Sequence, residues 1–373
     1  MRVKMTVKFD CAVIGMGVSG VLLAKELATQ GFKVVLFHDD KPINMSLAES
    51  LPATVNPLLE RLGLMKYLQH EIHFPCSGTF SSWGAAQLQH PRLESTMQGH
   101  GWKVDKHGLV RQLAYDLPDS VVKLHKVISI ERQPSHWLLG SKSNGQVIEV
   151  CARFVVDASG RQGYLPRALN ISRHCFDKLM AFVVNVPRIS GEKLSHPVLV
   201  EAQQNHWGLV SKMNQNQNML AIFSNQASPD FELYKSFENW HEISQDSLYF
   251  KQFIPQEYST KVRMVNASSH ICSQLTGDNW LMVGDAAMSF DPLSSHGMTT
   301  SMYMAEKACH AIMQSFTGNR AGLADYSEQM TSIYNTYLNE LVQRYNAEQR
   351  WQGSPFWQSK QQLKMTNECM LVS

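Results

Sequence analysis

A chain of 373 residues with 44% hydrophobic content can bury a large core, in one sizeable domain or two interleaved ones. Its 34 Lys and Arg against 32 Asp and Glu leave no bulk charge to attract a nucleic acid or a membrane surface. Seven cysteines without a CxxC pair argue against a disulfide framework and a zinc site; with no apolar run approaching about 18 residues and no cleavage signal behind the basic residues 1–9, a reduced, cytoplasmic protein is expected.

Cys11, Ala12, Val13 and Ile14 form a short apolar run suited to a buried parallel strand, and Val21, Leu22, Ala24, Leu27 and Ala28 recur at helical spacing behind it. Between them stand Gly15, Gly17 and Gly20, and a second apolar strand ends at Phe37. Strand, GxGxxG turn, helix and strand make the first βαβ unit of a dinucleotide fold. Gly15 permits the tight turn, Gly17 lets backbone amides approach a pyrophosphate, and Gly20 lets helix and strand pack closely, with the helix N-terminus facing the anion. After Phe37 come His38, Asp39 and Asp40. Asp39 is expected to accept hydrogen bonds from a ribose, with a solvated loop carboxylate as the alternative.

Glu49-Ser50-Leu51-Pro52 precedes a helix marked by Val55, Leu58, Leu59 and Leu62, with Pro52 at its start and Gly63 at its end. Residues 73–101 are irregular and read as an excursion out of the nucleotide domain. Gly101-Trp102-Lys103-Val104-Asp105-Lys106 leads into a helix carrying Leu109, Val110, Leu113 and Ala114; strands follow over 121–130, 137–139 and 147–150. A further buried strand from Ala152 ends in Asp157-Ala158-Ser159-Gly160-Arg161. Between 182 and 253, short apolar runs separated by polar turns, one of them at 214–218, predict an antiparallel sheet forming a second, substrate-facing domain. Trp207, Phe231, Tyr234 and Trp240 are expected as exposed aromatics along an open approach, with ordinary core positions as the alternative. Then Asn279-Trp280-Leu281-Met282-Val283-Gly284-Asp285 and Asp291-Pro292-Leu293-Ser294-Ser295-His296-Gly297-Met298 lead into a helix through Met302, Ala305, Ala308 and Ile312. A carboxylate at such a strand end can hold a ribityl or ribose hydroxyl, and helix amides can stabilise negative charge.

Gly15/Gly17/Gly20, Asp157-Ala158-Ser159-Gly160-Arg161, and Gly284-Asp285-Ala286-Ala287 with Asp291-Pro292 resemble the three FAD signatures of the flavoproteins that include aromatic hydroxylases and flavin-dependent tryptophan halogenases. The resemblance spans nearly the whole chain. It implies an α/β fold: a Rossmann-like FAD-binding domain of the glutathione-reductase and aromatic-hydroxylase type, an interleaved antiparallel-sheet substrate domain, and C-terminal helices. The expected boundaries are 1–73, 100–172 and 266–320 for the discontinuous FAD domain, 74–99 and 173–265 for the substrate domain, and 321–373 for the helical segment. Glu49-Ser50-Leu51-Pro52, Ser82-Trp83-Gly84 and the tail Glu348-Gln349-Arg350-Trp351-Gln352-Gly353-Ser354-Pro355-Phe356-Trp357 are similar to the tryptophan-halogenase-like branch. Two departures argue against a halogenase. No two of the eight tryptophans are two apart, so the Trp-x-Trp-x-x-Pro motif is absent, and no lysine stands between Lys66 and Lys103. In length and tail the chain looks most like the flavoproteins that mature cysteine tryptophylquinone-dependent glycine or lysine oxidases. This implies an FAD-dependent monooxygenase hydroxylating a tryptophan in the precursor of a quinoprotein amino-acid oxidase, reduced by a separate flavin reductase or by free reduced flavin. A non-catalytic flavin-containing assembly factor and a small-molecule aromatic hydroxylase or halogenase-like enzyme are the alternatives.

Carried over residue by residue, the resemblance places Gly15, Gly17 and Gly20 at the FAD pyrophosphate, Asp39 or His38 at the adenosine ribose, and Asp157, Gly160 and Gly284 in the remaining FAD-binding set, with Asp285 on the ribityl or pyrophosphate side. Lys106 stands where relatives carry Arg, so its phosphate contact would be a point charge without bidentate geometry. Pro292, Gly297 and Met298 should border the isoalloxazine. His296 is expected to stabilise flavin anion or relay a proton, or else to be a loop histidine bonded to backbone. Glu49 is an acid or base facing the same cavity, or a helix-capping carboxylate. His73, His90, His100 and His206 fall in the substrate region without metal-ligand spacing, and no metal is assigned.

Overall fold

Five parallel strands end in register along one edge of the central sheet, and that row positions everything functional. In the computed structural model, which describes residues 7–39, 48–90, 99–143, 146–189 and 198–362, Ile14 closes Val7–Ile14 opposite both Phe37 of Val34–Phe37 and Asp157 of Gln146–Asp157. Asp157 is in turn opposite Met282 of Trp280–Met282, and Phe37 opposite Leu124 of Val122–Leu124. These strands are near-continuous apolar runs because helices cover both faces of a parallel sheet: Cys11, Ala12, Val13, Val34, Val35, Leu36, Val155 and Val156 are wholly buried. The segments expected as separate strands at 147–150 and from Ala152 form one twelve-residue strand. Its first half pairs antiparallel with Trp137–Ser143, its second parallel with Trp280–Met282, and Val7–Ile14 runs along it.

Val18–Thr29 packs on the long helix Gly297–Phe316, which is covered by Ala321–Asn346. Asp105 starts the helix Lys106–Tyr115 by accepting from the amides of His107 at 3.0 Å and Gly108 at 3.1 Å.

The six-stranded sheet runs Arg263–Asn266, Met180–Pro187, Gln217–Ser224, His206–Lys212, Val198–Gln203, Thr79–Ser82. Its last pair is parallel, so part of the 73–101 excursion serves as an edge strand. Alternation sorts its side chains. Phe182, Val184, Leu199, Val210, Leu220 and Ile222 face a cluster with Phe231, Tyr234, Phe237, Trp240, Phe250 and Phe253, while Ala181, Val183, Val200, Met219, Ala221 and Phe223 face the main core.

The aromatics expected on an open face are therefore corrected. Trp207, Tyr234 and Trp240 are 0% exposed and Phe231 8%. Trp240 lies on Phe237–Ser244, a helix covering the sheet, and its indole donates to the Phe182 carbonyl at 3.2 Å. Trp207 stacks on Phe223 at 3.9 Å and donates to the Tyr345 hydroxyl at 3.1 Å. Among the described residues, no helix is long and apolar enough to cross a membrane.

Candidate active site

Gly15 holds φ at 111°, and a Cβ there would stand 2.4 Å from the Ala158 carbonyl oxygen. At Gly20 a Cβ would fall 1.9 Å from the Gly15 oxygen, so these two positions weld the turn to its helix and to the neighbouring strand end. Gly17 differs: its backbone is extended and a Cβ would meet nothing within 4 Å. It caps Val18–Thr29 without a side chain, leaving first-turn amides at the mouth of a cavity.

The second strand end is built by Asp157. Its carboxylate is fully buried and accepts from the amides of Ser159 at 2.9 Å and Leu165 at 2.6 Å. Asp157 shapes the turn from behind the cavity, while Ala158, Gly160 and Arg161 line it. Burial raises its carboxyl above the usual range, against the pull of those hydrogen bonds. Arg161 donates to the carbonyls of Ser268 at 2.6 Å and Phe290 at 3.3 Å and lies 3.5 Å from Asp285, tying the second strand end to the third.

At the third end, Gly284 turns with φ 60° into Asp285, and Asp291 opens the turn Pro292–Ser294 by accepting from the Leu293 amide at 2.9 Å. Ser295 sits left-handed at φ 54°, a strained conformation for a residue with a Cβ, immediately before His296 and the helix Gly297–Phe316.

These segments enclose a cavity of about 300 Å³ with the inner face of the six-stranded sheet. Gly17, Glu49, Lys106, Gly160, Asp285, Pro292, His296, Gly297 and Met298 all line it. Gly15, Gly20 and Gly284 act behind it through the backbone. Glu49 is on the strand Ala48–Leu51, not at a helix cap, and its carboxylate lies 3.2 Å from Lys106, whose ammonium it holds above the usual range. Burial depresses the His296 imidazole below its ordinary value.

Asp39 stands two residues past the strand end, 3.5 Å from Lys126, and does not line the cavity; Asp40 lies outside the described residues. The four substrate-region histidines stay out of the cavity too. His73 accepts from the Asp105 amide at 3.1 Å, His206 pairs with the Tyr234 hydroxyl at 3.0 Å, and His90 and His100 lie against Phe80 and Trp102.

Sequence reasoning missed two charged groups. Arg161 was quoted within its motif but given no task. Lys103, between buried Trp102 and Val104, is itself 3% exposed; a lysine inside an apolar strand was the available signal.

The glycine cradle fits a dinucleotide: space remains where Cβ atoms at Gly17, Gly160 and Gly297 would project, beside an uncapped helix N-terminus. A parallel sheet with this cradle, closed over by a second sheet, defines a dinucleotide-cofactor enzyme. The chain belongs to the FAD binding domain family, which matches residues 8–340, and FAD is its cofactor. It is 25% identical over 364 residues to LodB of Marinomonas mediterranea, named as an FAD-dependent oxidoreductase, covering 94% of this chain and 96% of LodB. The myxobacterial chondrochloren halogenase CndH superposes with a TM-score of 0.82 at 20% identity, over 98% of this chain and 88% of that one. QhpG, a peptidyl tryptophan dihydroxylase essential for tryptophylquinone cofactor biogenesis, superposes with a TM-score of 0.78 at 22% identity, over 96% and 80%. At these identities the structural likeness is one of fold. The protein is an FAD-dependent oxidoreductase of the halogenase and hydroxylase type.

Proposed function

We propose that this enzyme is a monooxygenase that hydroxylates a tryptophan side chain in the precursor of a quinoprotein amino-acid oxidase, during biogenesis of its cysteine tryptophylquinone cofactor. The carrying observation is the sheet-side wall of the cavity. Val183, Val200, Leu209, Met219, Ala221 and Val265 form an aliphatic surface, and the charged groups lining the cavity belong to the opposite wall. A free amino acid needs fixed partners for its carboxylate and ammonium; an indole carried by a peptide needs an apolar slot. The peptidyl substrate in QhpG's name favours the same reading.

FAD, when bound and reduced, supplies the activation of dioxygen from which one atom enters an electron-rich ring. The remaining work belongs to the chain. First-turn amides at Gly17 and Ser19 hold the pyrophosphate, and Lys106, steadied by Glu49, adds a point charge. Asp39, or His38 before it, would take the ribose. Asp285, braced by Arg161, takes ribityl hydroxyls. Pro292, Gly297 and Met298, which line the cavity, would border the flavin ring. The His296 imidazole is uncharged at neutral pH, so a ring nitrogen can accept the proton that the attacked carbon loses as aromaticity returns.

Incubating the FAD-loaded protein with reductant, oxygen and the candidate precursor, then weighing the precursor, tests the reading. Oxygen mass on a tryptophan-containing peptide is expected. A precursor that matures only in the protein's presence yet gains no oxygen from it would make the chain an assembly factor.

A further inference from the structure

Lys103 occupies an unusual position for an ammonium. Its strand, Gly101–Asp105, runs between Ala48–Leu51 and Phe74–Cys76, and its side chain is 3% exposed. Among the described residues no carboxylate forms an ion pair with it. Its Nζ instead donates to two hydroxyls, Ser50 Oγ at 2.7 Å and Ser211 Oγ. Burying an ammonium without a direct anionic partner is unfavourable, so the site favours a ligand that can supply one. Both serines line the cavity, one from the nucleotide side and one from the six-stranded sheet.

The hydrogen-bond inventory fixes what they offer. An ammonium has donors only, so each serine oxygen is used as an acceptor toward Lys103 and keeps its own O–H to give away. Two hydroxyls, polarised by one buried cation, thus present donors to the cavity where the nucleotide side meets the six-stranded sheet. Desolvation pushes the Lys103 ammonium down to about 8, against the opposing pull of Cys76 and Glu49, which leaves it mostly charged at neutral pH.

We infer that Ser50, Lys103 and Ser211 form a subsite for an oxygen on the aromatic ring of the substrate, so that the cavity accepts a ring already hydroxylated, held toward its phenolate form, in preference to the bare indole. The inference deepens the proposed function and rests on it for the indole ring. Glu49 and Cys76 act on the ammonium without forming an ion pair with it, so the ligand would bring the direct anionic partner, and the ring is oriented by the oxygen it carries.

The test uses the full-length, FAD-loaded protein without reductant, so that nothing turns over, and indole with its four benzo-ring hydroxyindoles as probes. Affinity is read from the perturbed flavin absorption, and ionisation of the bound ring from its ultraviolet difference spectrum. At least one hydroxyindole should bind more than about tenfold tighter than indole, the scale of a hydrogen bond to a charged group, and show a phenolate-like spectrum. Lys103→Met, with FAD content retained, should bring the two affinities together and remove the spectral shift; Ser50→Ala/Ser211→Ala should do the same, and carries the test should Lys103→Met not fold. Equal binding of indole and all four hydroxyindoles by the unaltered protein, or a preference that survives in the folded variants, overturns the subsite. Oxygen transfer to the precursor is a separate measurement. A hydroxyindole preference without it leaves the subsite standing and defeats the proposed function; transfer without the preference does the reverse.

Discussion

The Lys360 ammonium lies 3.1 Å from the Asp291 carboxylate with both side chains entirely out of solvent. Asp177 is its second partner, and the Tyr345 hydroxyl donates to Asp291 at 2.8 Å. Asp291 opens the turn that carries Pro292 and, beyond it, His296, so the C-terminal helix Pro355–Gln361 pins a wall of the cavity. Lys360→Met would leave two carboxylates buried without their cation. Loss of about 3–5 kcal/mol in stability is expected, read by urea unfolding, together with weaker FAD retention.

The glycines separate fold from binding. Gly20→Ala puts a Cβ on top of the Gly15 oxygen and should destabilise the chain by about 1–3 kcal/mol or more. Gly17→Asp meets neither strain nor a clash in the protein, yet places a carboxylate where the pyrophosphate must approach. A folded Gly17→Asp chain without visible flavin absorption is expected; flavin retained at full occupancy would contradict the assigned cradle.

These positions were readable because their constraints are local. A left-handed turn or a backbone contact demands glycine, and spacing alone then identifies the βαβ unit. What joins distant segments left no such mark. Ser82-Trp83-Gly84 and the tail looked like two separate branch markers, yet they meet: the Trp83 indole donates to the Arg344 carbonyl at 2.7 Å and the Gly84 amide to Glu348 at 2.8 Å. Lys103 and Ser211 are likewise 108 positions apart. Short apolar runs predicted the sheet but could not say that Phe237–Ser244 covers one of its faces, burying Phe231, Tyr234 and Trp240, or that Tyr345 of a distant helix closes over Trp207 on the other, which is why all four were misjudged as exposed.

Acid sensitivity should come from buried neutral histidines. His206 is depressed to about 3 by desolvation alone, below its ordinary 6.5. Above pH 6.5 it is neutral in both folded and unfolded chains. As pH falls from 6.5 toward 3 only the unfolded chain takes the proton, so stability declines through that window, by an amount on the order of several kcal/mol at its acid end. His206→Gln should flatten the fall in urea midpoint between pH 7 and 5; an unchanged slope would assign the acid sensitivity elsewhere.

Electron supply should be external. The sequence carries one GxGxxG, and that turn serves FAD, so NADH or NADPH alone should bleach the bound flavin slowly, while a flavin reductase or free reduced flavin restores rapid reduction. Fast stoichiometric bleaching by either nicotinamide in a stopped-flow mixer would require a second dinucleotide site.

His296 gives the reaction its expected pH profile. The imidazole can accept the ring proton only while uncharged, and burial lowers its pKa from the ordinary 6.5, with Glu340 pulling upward and Arg344 downward. A depressed pKa favours the neutral form at physiological pH, so oxygen transfer should fall on the acid side, with a midpoint below the ordinary 6.5. His296 accepts no capping bond with its side chain at the start of Gly297–Phe316, so His296→Gln leaves that backbone in place and should retain FAD. It should lower single-turnover oxygen transfer by about 10²–10⁴-fold and remove the acid limb. Rates measured after mixing the reduced protein and precursor with oxygen, from pH 5 to 8, decide the matter. A variant with the unaltered protein's rate and acid limb would show that the proton leaves by another route.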